Sequence, residues 1–306
     1  MNRGGETMNG TESLEAVGRM QEYIEAHLSA RITMRQLADA AGYSIWHAAR
    51  MFKAHTGKAP FEYIRARRLA CAAMRLRDGQ HRVLDVALDF TFDSNEGFTR
   101  AFTRAFGISP GAYARNAPPI ALFLPENVVV SHRAIIRGRE NSMESNTRTI
   151  FAQVVERPAR RLLLKRGVKA EHYFAYCEEV DCGIWGLLCS VKEAIYEPVG
   201  LWLPDHLMPA GTSRYVQGVE LPLNYDKAPP EGLELIELPA ATYMVFQGEP
   251  YEDEDFHGAI SELWRHLETF DPALYGYAWD PQAAPRFQLA PMGYRGYIEA
   301  RPVRRV

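Results

Sequence analysis

The chain has 306 residues, 47% of them hydrophobic, and a formal net charge of −3. That length predicts about two domains of roughly 100–200 residues each, and either half holds enough apolar residues for a core. Nothing approaches the ~20 apolar residues of a membrane span, and the opening MNRGGETMNG lacks a signal-peptide run, so a cytoplasmic protein is expected.

The charge is divided by region. Through Pro118 there are 16 Lys and Arg against 12 Asp and Glu, or +4, and the remainder holds 19 against 26, or −7. A basic half suits phosphates, with an affinity that falls steeply as salt rises. Four cysteines, Cys71, Cys177, Cys182 and Cys189, show neither CxxC spacing nor a nearby His cluster. Four buried free thiols are expected, with no metal and no cofactor.

Residues 1–11 read as a disordered polar start. From residue 12 the segment LEAVGRMQEYIEAHL spaces Leu14, Val17, Met20, Ile24 and Leu28 as one face of a scaffold helix. Thr33 is a candidate N-cap for MRQLADAA, Gly42 supplies a turn, Ser44 caps IWHAARMFKAHT, and Gly57 ends it. In that helix Ile45, Ala48, Met51 and Phe52 form the inward stripe; Trp46, His47, Ala49, Arg50 and Lys53 face outward. An outward Trp beside an Arg gains nothing from exposure unless a partner covers it. FEYIRARRLACAAMRLRDG then reads as a rigid connecting helix, with Tyr63, Leu69, Ala73 and Leu76 inward and Arg65, Arg68 and Arg75 outward.

Fifty residues after Ser44 the unit returns. Ser44/Ser94, Arg50/Arg100, Phe52/Phe102, Gly57/Gly107, Pro60/Pro110, Tyr63/Tyr113 and Arg65/Arg115 are identical in register. Each copy reads as helix, turn and second helix, the unit that lays its second helix in a DNA major groove. In the second copy Ser94 or Asp93 caps NEGFTRAFTRAF; Phe98, Phe102 and Phe106 pack inward, and Asn95, Glu96, Thr99, Arg100 and Arg104 face out. The plainer alternative makes the aromatic stripe core and the arginines solvated charges. It suits the stripe; Arg50 and Arg100, in equivalent places of a duplicated unit, point to DNA.

AGYSIWHAARMFKAHTGKAPFEYIRARRL followed by VLDVALDFTFDSNEGFTRAFTRAFGISPGAYAR resembles the AraC/XylS transcriptional regulators over about residues 12–116. The resemblance implies an all-α domain, 12–117, with tandem helix-turn-helix units reading adjacent segments of double-stranded promoter DNA, and RNA polymerase as a further partner. Its base-reading places fall on Trp46, Ala49 and Arg50, and on Asn95, Glu96, Thr99 and Arg100. Thr91 stands where a turn glycine is common, and Ala49 is too short to hydrogen-bond a base.

Residues 118–148 read as a connector with a weak strand at VVVSHRAII. Beyond it VVERPARRLLLKRG is matched by LIELPAATYMVFQG, with Glu156/Glu237, Pro158/Pro239, Ala159/Ala240 and Gly167/Gly248 all 81 apart. Each copy continues into a helix bearing a Trp, Trp185 or Trp264, and then into a strand, YVQGVELPL or GYIEARPVRRV. Two strand-strand-helix-strand repeats about a pseudo-twofold axis predict an α+β domain over 149–306, with a cleft between the halves.

That arrangement resembles the GyrI-like effector-binding domain, and the domain order is similar to the right-origin-binding subgroup of AraC-type regulators. The resemblance implies a cleft of aromatic rings with an acidic residue for hydrophobic cations. Ring candidates are Trp185, Trp202, Tyr243, Phe246, Trp264, Trp279 and Tyr294. Trp264 shares an inner stripe with Phe256, Ile260, Leu263 and Leu267, which favours core packing, whereas Trp279 and Tyr294 lie in turn-rich segments. The family's acid falls near PRFQLAP, where this chain has Phe287 and Gln288, so a neutral or hydrogen-bonding effector is expected; Glu299 and Glu220 are substitutes, each also readable as a solvated strand residue.

A transcription factor sensing a small molecule or a protein is thus the leading reading, with no enzymatic activity expected. A DNA binder with a vestigial second domain stays open, as does a GyrI-like hydrolase using a Glu and Tyr pair. An alkyl-transfer repair domain is excluded, since the cysteines lie in YCEE, DCGI and LCSV and not in a Pro-Cys-His-Arg setting.

Overall fold

The computed structural model describes residues 4–79, 81–125, 149–181, 183–252 and 255–306, without the side chains of residues 4–11. The weak strand expected within 126–148 lies outside them. The chain divides into two units, Met1–Ile136 and Arg137–Val306. No described helix is long and apolar enough to cross a membrane.

The first unit is helical: α1 (Gly4–Ala26), α2 (Met34–Ala41), α3 (Ile45–Thr56), α4 (Pro60–Asp78), α5 (Val83–Asp89), α6 (Asn95–Phe106) and α7 (Pro110–Asn116). Helix α1 starts at Gly4, within the stretch expected to be disordered, whose polar residues include no proline to stop it. Thr33 caps α2 in a capping box with Gln36, and Gly42 ends it at φ 76°. Two apolar clusters hold the unit. One gathers Val17, Met20, Leu37, Phe52 and Tyr63, and the other gathers Leu76, Val86, Phe98, Phe102 and Tyr113. Helix α4 contributes to both, so one rigid rod fixes the separation of the two copies.

The duplication is physical as well as textual. Gly57 and Gly107 both end their helices at φ 71°, and Pro60 and Pro110 both open the next helix, where a missing N–H costs nothing. Phe52 meets Tyr63 with ring centroids 5.2 Å apart, and Phe102 meets Tyr113 at 5.6 Å. The segment after α7, expected as connector, is in part docked: Ile120 and Leu122 join the second cluster, and the Phe123 ring lies edge-on to Tyr63 at 5.1 Å. Arg67, buried and bidentate to Glu25 at 2.8 and 2.9 Å, also holds the Phe123 carbonyl. The strap is anchored because its apolar residues alternate onto open core.

The second unit is one antiparallel sheet with helices: β1 (Phe151–Arg157), β2 (Arg160–Arg166), α8 (Tyr173–Val180), α9 (Ile184–Ser190), β3 (Val199–Trp202), β4 (Tyr215–Leu221), β5 (Glu234–Leu238), β6 (Ala241–Gln247), α10 (Phe256–Thr269), β7 (Tyr277–Trp279), β8 (Arg286–Leu289) and β9 (Ile298–Arg305). The strand order is β1-β6-β9-β8-β3-β4-β2-β5, with β7 also on β9. Exchanging β1 with β5, β2 with β6, β3 with β8 and β4 with β9 returns the same order reversed. The first strand of each repeat pairs with the second strand of the other, β1 on β6 and β5 on β2, so the halves are interlocked. Each repeat carries a strand beyond the strand-strand-helix-strand expectation, β3 or β8, and the second also carries the short β7; β3 and β8 are four residues long, too short to show a clear alternation, and their mutual pairing is the sheet's centre.

One thiol expectation is overturned. Cys71 and Cys189 are half-buried thiols outside any disulfide, but Cys177 is disulfide-bonded. The absence of CxxC spacing does not exclude such a bond; Cys182 lies outside the described residues.

Candidate functional site

The Ser44 side chain accepts the His47 N–H at 3.4 Å and so starts α3, a contact of the kind worth about 1 kcal/mol. Ala48, Met51 and Phe52 are buried as expected, but Ile45, in the first turn, is 46% exposed. Trp46 is 69% exposed, with the Arg50 guanidinium 4.5 Å from its ring centroid. His47 leans on Tyr43 at 5.0 Å, Ala49 is half-buried, and Lys53 is exposed in the last turn.

In α6 the Ser94 hydroxyl, not Asp93, accepts the Gly97 N–H at 3.0 Å. Asn95, Glu96, Arg100 and Arg104 are exposed and Thr99 is half-buried, while Phe98 and Phe102 are fully buried. The turns before the two helices differ. Tyr43 N–H bonds the Ala38 carbonyl as Phe92 N–H bonds that of Ala87, which makes Gly42 and Thr91 counterparts; Asp93 is then one extra residue in the second turn. Thr91 takes φ 57°, a left-handed conformation that a β-branched residue rarely adopts, and its hydroxyl is buried without a partner.

An open groove of about 660 Å³ separates α4 from α6 and brings Arg65 together with Arg100 and Arg104. The one carboxylate there, Glu62, already accepts the Ala59 N–H. Arg75 is exposed and Arg68 half-buried where both were expected to face outward, and both are engaged. Arg68 donates to the Leu28 and Ala30 carbonyls at the end of α1, and Arg75 pairs with Asp89 at 2.9 Å.

In the second unit the sheet's register makes a row. Gln217 faces Gly200, Gly200 faces Gln288, and Gln288 faces Glu299 across β4, β3, β8 and β9. Opposed residues share a sheet face, and Trp264 of α10 marks it as the helix side, since its indole N–H donates to Glu299 at 2.8 Å. Glu299 is wholly buried, and Arg286 and Arg301 pair with it at 2.6 and 2.8 Å. The Tyr297 hydroxyl donates to the Gln288 carbonyl at 2.7 Å, and the Gln288 amide donates to the Tyr215 hydroxyl at 3.3 Å. A Cβ at position 200 would collide with that hydroxyl. Burial, and after it the Glu299 charge, raises the Tyr297 hydroxyl well above the ordinary tyrosine range.

The other ring candidates scatter. Trp202 stands in this cluster, its ring 5.0 Å from Tyr215, and Trp264 is 38% exposed at the edge of its helix stripe. Phe246 faces Glu299 across β6 and β9 and packs with Phe270 and Trp279, and the Arg301 guanidinium lies 5.8 Å from the Trp279 centroid. Trp185 is half-buried on α9, and Tyr294 is 76% exposed in a turn. Tyr243 lies on the opposite face, where Arg160 donates to its hydroxyl at 3.0 Å. There Glu220, 1% exposed, pairs with Arg157 and Arg160, so neither candidate acid is a solvated strand residue.

A family model described as a helix-turn-helix domain matches residues 37–116, which include α3 and α6. The right origin-binding protein of Escherichia coli is 46% identical over 94 residues, 31% of this chain and 32% of that protein. The transposon Tn10 TetD protein of Escherichia coli is 42% identical over 94 residues, 31% of this chain and 68% of that protein. The regulatory protein SoxS of Salmonella typhimurium is 37% identical over 92 residues, 30% of this chain and 86% of that protein. The chain belongs to the AraC/XylS family. The match spans about a third of the length of the right origin-binding protein. In this AraC/XylS chain the row centred on Gln288 and Glu299 lies beyond the residues matched by the family model.

Sequence reasoning missed Tyr215, Tyr297, Arg286 and Arg301 as members of that row. An alternation count applied to β8 and β9 places Arg286 with Gln288, and Tyr297 with Glu299 and Arg301, but the cross-strand register comes only from the fold.

Proposed function

We propose that this chain is a sequence-specific regulator of transcription that holds double-stranded promoter DNA with α3 and α6 in adjacent major-groove segments. The observation that carries the reading is the pair of side-chain-capped helices, built on one repeated core, with Arg50 and Arg100 at equivalent exposed places. A guanidinium meets guanine O6 and N7 with two bonds. Trp46 covers sugar or a thymine methyl; Ser44, His47 and Lys53, with Arg65 beside the second helix and Arg104 in its last turn, meet phosphates. Asn95, Glu96 and Thr99 complete the second reading face, while Ala49 gives only close approach. RNA polymerase is the partner through which bound protein changes transcription.

The test is selection of genomic fragments by the full chain against excess competitor DNA. One asymmetric motif is expected, with affinity falling steeply between 50 and 200 mM salt. Fragments without a shared motif contradict the reading.

The second unit acts as a GyrI-like effector-binding domain, with its cleft on the helix side of the sheet over β3 and β8. The reading is supported by the interlocked repeats and by the gathering of Trp202, Trp264, Gln288 and Glu299. Its effector is a small molecule with an apolar-aromatic body. Thermal unfolding of the full chain across a panel of such molecules tests this, because a compound that binds only folded protein raises the midpoint. No shift at any concentration favours a vestigial domain.

A further inference from the structure

The same cleft carries an occupant of its own. The Arg286 guanidinium carbon lies 4.1 Å from the Trp202 ring centroid and 5.3 Å from that of Trp264. One of its nitrogens is 2.6 Å from Glu299 Oε2. Two indole faces and a buried carboxylate are the parts of a cation-binding cage, and here a side chain of β8 fills it.

Glu299 has little left to offer a second cation. Its Oε2 takes the Trp264 indole N–H and Arg286, with the Tyr297 hydroxyl 3.3 Å away, and its Oε1 takes Arg301. The three charged groups sum to +1. Arg286 is also undersupplied: its buried Nε has no acceptor, although the side chain as a whole is 29% exposed. A buried charge with open donors is costly until an acceptor arrives.

We infer that Arg286 sets the charge preference of the cleft: as folded it refuses organic cations and takes aromatic carboxylates, whose oxygens meet Arg286 while the ring lies against Trp264. The inference rests on the reading of this cleft as an effector site. It differs from the neutral effector expected from Gln288, because the missing acid is replaced by Glu299 on the next strand and then over-compensated by two arginines.

The probes are 2-naphthoate and a naphthylmethyl-trimethylammonium ion, titrated calorimetrically into the full chain and into Arg286→Met and Arg286→Lys variants. The original chain should bind the carboxylate at least tenfold more tightly than the ammonium ion. Arg286→Met, which frees the cage and leaves Glu299 with one arginine, should reverse that order. Arg286→Lys, which keeps the charge, should retain the carboxylate preference, so a loss of fold in the first variant is told apart from a loss of charge. Binding of both probes with an unchanged ratio in Arg286→Met overturns the role of Arg286 and leaves the cleft reading standing. Failure of every protein to bind either probe contradicts the cleft reading and this inference with it.

Discussion

The Arg50 guanidinium stands 4.5 Å from the ring centroid of Trp46, one helical turn away on the exposed face of α3. The contact holds both side chains in place before any partner arrives, and a held side chain loses less entropy on binding. Trp46→Ala should therefore weaken DNA binding, and the pair should be coupled: the double variant with Arg50→Ala loses less than the two single losses combined, by about 0.5 kcal/mol or more. Fluorescence anisotropy on a selected DNA site gives the cycle. Strict additivity means the two act apart.

Thr91 stores strain. With φ 57° and an unpartnered buried hydroxyl it holds the place that Gly42 fills in the first copy. Thr91→Gly should raise stability by roughly 0.5–1 kcal/mol, the relief exceeding the added chain entropy of glycine. Denaturant unfolding of the full chain measures it. A loss of stability refutes the strain, and DNA affinity should not change.

Glu220 is 1% exposed between Arg157 and Arg160, and Arg160 is equally buried. Glu220→Gln leaves two arginines without their counter-charge and should cost about 3 kcal/mol or more. A cost below about 1 kcal/mol would mean that the carbonyls of Pro158 and Pro239, which also accept from Arg160, suffice.

Burial raises the Tyr113 hydroxyl to about 12, and burial, then the Glu299 charge, raises Tyr297 well above the ordinary tyrosine value. A folded-state value above that of the unfolded chain gives stability that is complete below pH 10 and lost as pH climbs through the folded value. Stability should thus decline from about pH 10 upward, with a share of the 15 tyrosines ionising only as the chain unfolds. Absorbance titration alongside circular dichroism checks this; ionisation of every tyrosine near pH 10 in folded protein contradicts it.

The first unit was largely legible in the sequence because its signals are local. Caps at Thr33, Ser44 and Ser94, glycines at 57 and 107 and the Phe52 and Phe102 stripes each act within one or two turns. What escaped there depends on distant contacts: Ile45 left uncovered, Arg68 spent on the end of α1, and Ile120 and Leu122 docked on the core. In the second unit the repeats were visible as text, yet the crossing of β1 and β5 between halves was not. The two-residue connections at Pro158–Ala159 and Pro239–Ala240 read as ordinary hairpins, and which strand a neighbour pairs with is settled by the whole sheet. The row from Gln217 to Glu299 follows from that register alone.

On the proposed reading, two copies of one unit each read DNA through the same arginine. It is tested most directly by anisotropy of the full chain, Arg50→Ala and Arg100→Ala against a site in which every base pair is changed in turn. Each variant should lose about 1–3 kcal/mol and its discrimination at its own base pair, the two positions lying about 10 base pairs apart. A loss spread evenly over all positions, in either variant, would make that arginine a phosphate contact and contradict the claim.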